Sequence, residues 1–115
     1  MERGEIRLVD LETVRGSEPN KQRPAVLVSN DGANSMAATL GRGVVTVVPI
    51  TSNVSRVHPF QVFLPAASTG LERDSKAQAE QVRSVSVERI ADAVGRLEPR
   101  EMRALESALR LHLGL

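Results

Sequence analysis

The chain has 115 residues, enough for one compact domain spanning 1–115 with a single core, yet small enough that a partner subunit would add much of its stability. Lys and Arg number 15 against 14 Asp and Glu, so the net charge of +1 gives no global attraction to nucleic acid and any polyanion site must be a local patch. There are no cysteines, which excludes disulfides and thiolate metal sites and fits a reducing cytoplasm, while two scattered His residues argue against a His-based metal centre; no cofactor is expected.

The start, Met1 to Glu5, is polar and unlike a secretory signal, and no apolar run approaches the ~18 residues a membrane helix needs. A soluble, cytoplasmic protein away from membranes is the expectation. Phe60 and Phe63 are the only aromatic residues besides the histidines, which argues against a reader of single strands that relies on many stacked bases.

In chain order, Ile6 to Leu11 alternates imperfectly between apolar and polar, as a half-buried first strand would. Residues 12–23 hold Gly, Ser, Pro, Asn and several charges without periodicity and read as a loop, of a length usually functional or disordered in a compact domain. Pro24 then biases Arg23 toward an extended conformation. Ala25 to Ser29 follows as a short apolar run, a strand buried on both faces.

Asn30-Asp31-Gly32 is turn chemistry, and Ala33 to Leu40 predicts a short helical turn ended by Gly41-Arg42-Gly43. Val44 to Ile50, β-branched almost throughout, predicts a central buried strand whose pairing stops at Pro49. Thr51-Ser52-Asn53 leaves that strand as three small polar groups, placed to face a ligand or simply to form a Ser/Thr/Asn turn. Phe60 to Leu64 is a further strand ended by Pro65. Ala66 to Ser75 reads as a turn-rich connection, and Lys76 to Val85 as one or two short strands.

Ser86, Glu88 and Arg89 suggest a capped helical turn through Ala93, with Val94 to Leu97 as a closing strand. The last element is the clearest helix. Glu98-Pro99 starts it, Met102, Leu105, Ala108, Leu109 and Leu113 recur at helical spacing as a core or subunit-contact stripe, and Glu106 with Arg110 is a favourable pair four residues apart. Five to seven short strands with one terminal amphipathic helix describe a mainly β, α+β fold: a small, strongly curled sheet or barrel capped by a helix.

The Arg23-Pro24 junction is the strongest candidate for chemistry. A guanidinium is permanently charged and grips phosphate or carboxylate with two parallel hydrogen bonds. The same residue would serve equally as a surface cation in an ordinary salt bridge, and the stretch alone leaves both open.

Taken together, Gly4-Glu5-Ile6, Val9-Asp10-Leu11, Gly16-Ser17-Glu18, Arg23 to Asn30, Pro49-Ile50-Thr51-Ser52 and Asp74-Ser75 with Glu80 to Ser84 resemble the MazF/PemK toxins of bacterial toxin–antitoxin systems. The resemblance covers nearly the whole chain, and it is the order and spacing of the blocks that make it specific. It implies an SH3-like barrel with a C-terminal helix, and a homodimeric, metal-independent endoribonuclease that cuts single-stranded RNA to a 2′,3′-cyclic phosphate and a 5′-hydroxyl end. It also implies silencing by a MazE-type antitoxin. Catalytic roles carry over to Arg23 and Thr51. Ser17, Glu18, Lys21 and Gln22 fall in or beside the loop that lines the RNA groove, Ser52 and Asn53 extend the catalytic strand end, and Gln81 and Arg83 lie in the block that serves dimer and groove. Many relatives carry an aromatic residue where this chain has Arg7-Leu8, which bears on base preference.

In that chemistry Arg23 would stabilise the phosphoryl oxygens and Thr51 would donate a hydrogen bond to one of them. Glu18 and His58 are the loop candidates for a proton acceptor. Two other functions are weighed. A non-catalytic protein-binding toxin of the same fold, similar to the gyrase-poisoning CcdB proteins, is disfavoured because Leu111 to Leu115 lacks the Trp-containing tail of that family. A peptide-binding SH3-like domain would need more aromatic residues than two Phe.

Overall fold

The computed structural model describes residues 1–11 and 22–115. Most of the expected β1–β2 loop, with Ser17, Glu18 and Lys21, lies outside the described residues. Seven strands are present among the described residues: β1 (Glu5–Asp10), β2 (Gln22–Leu27), β3 (Val44–Thr51), β4 (Gln61–Leu64), β5 (Ser75–Gln78), β6 (Arg83–Ser86) and β7 (Ile90–Arg96). Three helices accompany them: α1 (Asp31–Leu40), the single turn α2 (Ala66–Thr69) and α3 (Pro99–Leu113).

All pairings are antiparallel, and the order is β4-β5-β3-β2-β1-β7. The first half of β3 pairs with β6 along the edge whose last residues pair with β5. The sheet curls without closing, so the expected barrel is an open sheet. Register shifts of β7 against β1, between Ile6 and Arg7 and between Arg7 and Val9, bend it. The four-residue β4 has β5 as its partner and does not meet β7.

The apolar runs in β2 and β3 are buried on both faces because each face carries its own core. Ile6, Val26, Val48, Ile50 and Leu64 meet Leu105 and Ala108 of α3 on one side. Val9, Ala25, Leu27, Val45, Val47 and Val85 gather on the other, where Ala37 of α1 packs against them. At about 25 cal/mol per Å² of apolar surface removed from water, these two layers are the dominant source of stability.

The sequence expectations depart from the structure in several places. The helix expected from Ala33 to Leu40 already begins at Asp31, with Asn30 as its cap instead of a turn: its side chain accepts the Ala33 N–H at 2.8 Å, and Gly41 at φ 65° ends the helix as expected. Asn suits a turn and a helix cap equally, so the local signal was ambiguous. Buried Asn34 then donates to the Ser29 carbonyl at 2.9 Å, tying α1 to the end of β2. The expected helical turn through Ala93 is one 3₁₀ turn at Val87–Arg89, after which β7 starts four residues earlier than predicted. Inside the expected 66–75 connection, α2 forms one helical turn.

Glu98 and Glu101 start α3 with a reciprocal capping box, and the Glu101 carboxylate also accepts from Ser68 Oγ at 2.7 Å. Leu105 and Ala108 are buried, Met102 and Leu109 pack beside them, and Leu113 is exposed. Glu106 pairs with Arg3 at 2.9 Å and not with Arg110, because Arg3 approaches from the neighbouring chain segment.

Burial pushes the Glu5 carboxyl up, but the Glu2 backbone bond, the Arg7 guanidinium and the N-terminal ammonium outweigh it and hold it below its ordinary value of 4.5. Its charge therefore stabilises the fold above that value, and the contribution is lost as pH falls through the lowered one. On acidification from about pH 6 to about pH 3, the melting temperature of the wild type is expected to converge on that of Glu5→Gln. A difference that stays constant across the range would remove Glu5 as the source.

Candidate active site

The site forms where β2 and β3 run out of mutual pairing. Their register is Leu27↔Val47, Val26↔Val48 and Ala25↔Pro49. Beyond it stands Pro24, which like Pro49 has no N–H to give to a ladder. Carried two residues past Ala25↔Pro49, the same register sets Arg23 across from Thr51 and, one further, Gln22 across from Ser52. Directly opposed residues of an antiparallel pair share a face. Extended in this way, the register would put Arg23 and Thr51 on the face that carries Ala25, Leu27, Val45 and Val47. Arg23 is the second residue of its strand, since β2 begins at Gln22.

Thr51 is half-buried, and Arg23 is exposed. The Thr51 hydroxyl accepts the Asn53 N–H at 3.2 Å, and Asn53 Oδ1 in turn accepts from Ser55 N–H and Oγ at 3.3 and 2.9 Å. This is the polar turn foreseen as the alternative to a ligand-facing cluster, and it serves both ends. With its oxygen engaged by the backbone, the hydroxyl hydrogen is left to donate outward. Ser52 and Asn53 are exposed beside it.

The same row continues over the sheet. Thr51 is opposite Lys76 of β5, and Lys76 is opposite Phe63 of β4. Lys76 belongs to this row, and the sequence reading did not single it out. Its signal was a lysine alternating with small residues in Ser75-Lys76-Ala77, whose neighbour Ala77 belongs to the core under α3.

Gln81 lies elsewhere, exposed on the 3₁₀ turn Ala79–Gln81 between β5 and β6. That turn is held by Gln61, whose amide donates to Glu80 at 2.7 Å while accepting the His58 N–H at 3.1 Å. His58 stacks on Phe60 with ring centroids 5.0 Å apart and planes 4° from parallel. Arg83 donates to the Leu11 carbonyl at 2.8 Å, fixing the point where the β1–β2 connection leaves the sheet. On the opposite face of the strand ends, Leu8, Pro24, Leu71 and Val94 floor a cavity of about 320 Å³ rimmed by Ser52, Glu72, Arg73 and Ser75. Among the described residues, no group of three or more His, Cys, Asp or Glu is placed to hold a metal ion.

A family model described as a PemK-like, MazF-like toxin of type II toxin–antitoxin systems matches residues 2–113. The chain belongs to the PemK/MazF toxin family. Endoribonuclease MazF9 of Mycobacterium tuberculosis is 59% identical over 115 residues, covering 100% of this chain and 98% of that protein. Endoribonuclease EndoA of Bacillus subtilis is 31% identical over 116 residues, covering 100% and 96%. Among solved structures, a mycobacterial endoribonuclease in complex with its cognate antitoxin superposes with a TM-score of 0.79 at 24% identity, covering 100% of this chain and 96% of that one. The PemK/MazF fold is therefore shared down to the open sheet and the terminal helix.

Proposed function

We propose that this PemK/MazF protein is a toxin endoribonuclease, acting as a single 1–115 domain that cuts single-stranded RNA at short sequences without a metal and is neutralised by a MazE-type antitoxin. The observation that carries this reading is membership of a toxin family whose relatives are named as endoribonucleases, and Arg23 and Thr51, at the adjoining ends of β2 and β3, are the proposed catalytic pair. The 2′-hydroxyl of the nucleotide before the cut loses its proton and attacks phosphorus. The bond to the 5′ oxygen breaks, that oxygen takes up a proton, and a 2′,3′-cyclic phosphate remains.

The developing negative charge falls on the non-bridging oxygens, where Arg23 supplies a bidentate cation and Thr51 a hydroxyl donor. Ser52, Asn53 and Gln22 line the path of the strand on either side. Ser17, Glu18 and Lys21, outside the described residues, and Gln81, on the turn between β5 and β6, are the further proposed RNA contacts. The working form is a homodimer. No helix among the described residues is long and apolar enough to cross a membrane, and the substrate is met in the cytoplasm.

Incubating the purified protein with a defined, unstructured transcript in excess EDTA is expected to give discrete cuts with 5′-hydroxyl ends. Cutting that EDTA abolishes would refute the metal-independent route. RNA left intact at micromolar protein would refute the nuclease reading itself.

A further inference from the structure

Lys76 is only 8% exposed, yet it lies on the sheet face that carries Arg23 and Thr51. Its ammonium donates to the Arg56 carbonyl at 2.6 Å, and no carboxylate of the described residues pairs with it. An ammonium has three N–H donors, so one neutral carbonyl leaves it under-used. A charge so far withdrawn from water is ordinarily matched by an opposite charge. Its cross-strand neighbours carry no charge: they are Thr51 and the 43%-exposed Phe63.

We propose that the missing anion is RNA phosphate, and that Lys76 binds the phosphodiester next to the scissile one. The inference rests on the nuclease reading and deepens it. Neighbouring strands lie about 4.8 Å apart, so Lys76 lies one strand spacing from Thr51, and the β2–β3 register, extended beyond Ala25↔Pro49, would bring Arg23 to its other side. An RNA chain laid across the strand ends at Thr51 passes from the fork of Arg23 to the flexible stem of Lys76. Phe63, beyond it in the same row, offers a ring face to the following base. The Arg56 carbonyl holds the ammonium while the groove is empty and keeps the β3–β4 loop, with Ser52 and Asn53, close to the site.

The test measures binding of a short fluorescein-labelled RNA carrying one 2′-deoxynucleotide at the attacking position, by anisotropy across a salt series. Lys76→Met is expected to weaken binding about tenfold and to reduce the slope of log affinity against log salt by about 0.7, the value for one lost single-strand phosphate contact. Lys76→Arg should restore the slope. Weaker binding with an unchanged slope and a lower melting temperature would show that Lys76 merely pins the loop, and would overturn the proposal. Wild-type protein that neither cuts nor binds RNA would instead bring down the nuclease reading, a failure visible before any variant is made.

Discussion

Arg23→Ala is expected to slow RNA cutting by about 10²–10³-fold while leaving the melting temperature within a degree or two of wild type. The activity loss follows from removing a donor that is both permanently charged and bidentate from the end of β2. The fold should tolerate it because the Arg23 side chain is exposed and the backbone pairing of residue 23 with Val9 does not depend on it. Arg23→Lys keeps the charge but loses the planar fork, so only part of the rate should return. Initial rates on one transcript, with circular dichroism melts alongside, check both statements. An Ala variant within threefold of wild-type rate would remove Arg23 from the chemistry.

Gly95→Ala should produce the largest loss of stability, roughly 3 kcal/mol or a drop in melting temperature on the order of 10 °C. A Cβ built there would lie 2.2 Å from the Thr69 carbonyl oxygen and 3.4 Å from Ile6 Cδ1. The oxygen belongs to the backbone of α2, so no side-chain rotation relieves the clash; β7 and α2 must separate. That separation would also open the cavity floored by Leu71 and Val94 beneath Ser52, so RNA cutting should fall with stability. A variant melting within about 2 °C of wild type would show that the two elements give way cheaply.

How much of this could be read from residues alone differs by element. Val44 to Thr51 and the stripe of α3 were legible because burial on two faces, or on one helical stripe, leaves a periodic apolar signature. The helix α1 was only half seen: Asp31 to Leu40 is short and weakly apolar, and its start depends on whether Asn30 caps or turns. The early start of β7 was missed because Ile90 to Arg96 is nowhere fully buried and contains Gly95, required by a close approach that composition does not reveal. Arg23 and Thr51 were singled out by residue type and position, and the resemblance supplied the catalytic roles proposed for them. Their mutual placement needed the register, which is set by Ala25 to Leu27 against Val47 to Pro49 and not by either residue. Lys76 escaped because a lysine in a short strand looks like an ordinary solvent-facing position until its 8% exposure is known.

The pairing of β2 with β3 also times the hazard this protein poses to the cell that makes it. Residue 23 emerges from the ribosome long before residue 51, and neither has a phosphate to grip until the intervening segment has folded back as α1 and the two strands have zipped. A polypeptide in which β2 and β3 have not yet paired therefore has no assembled site, and the proposed cutting depends on completion of that register.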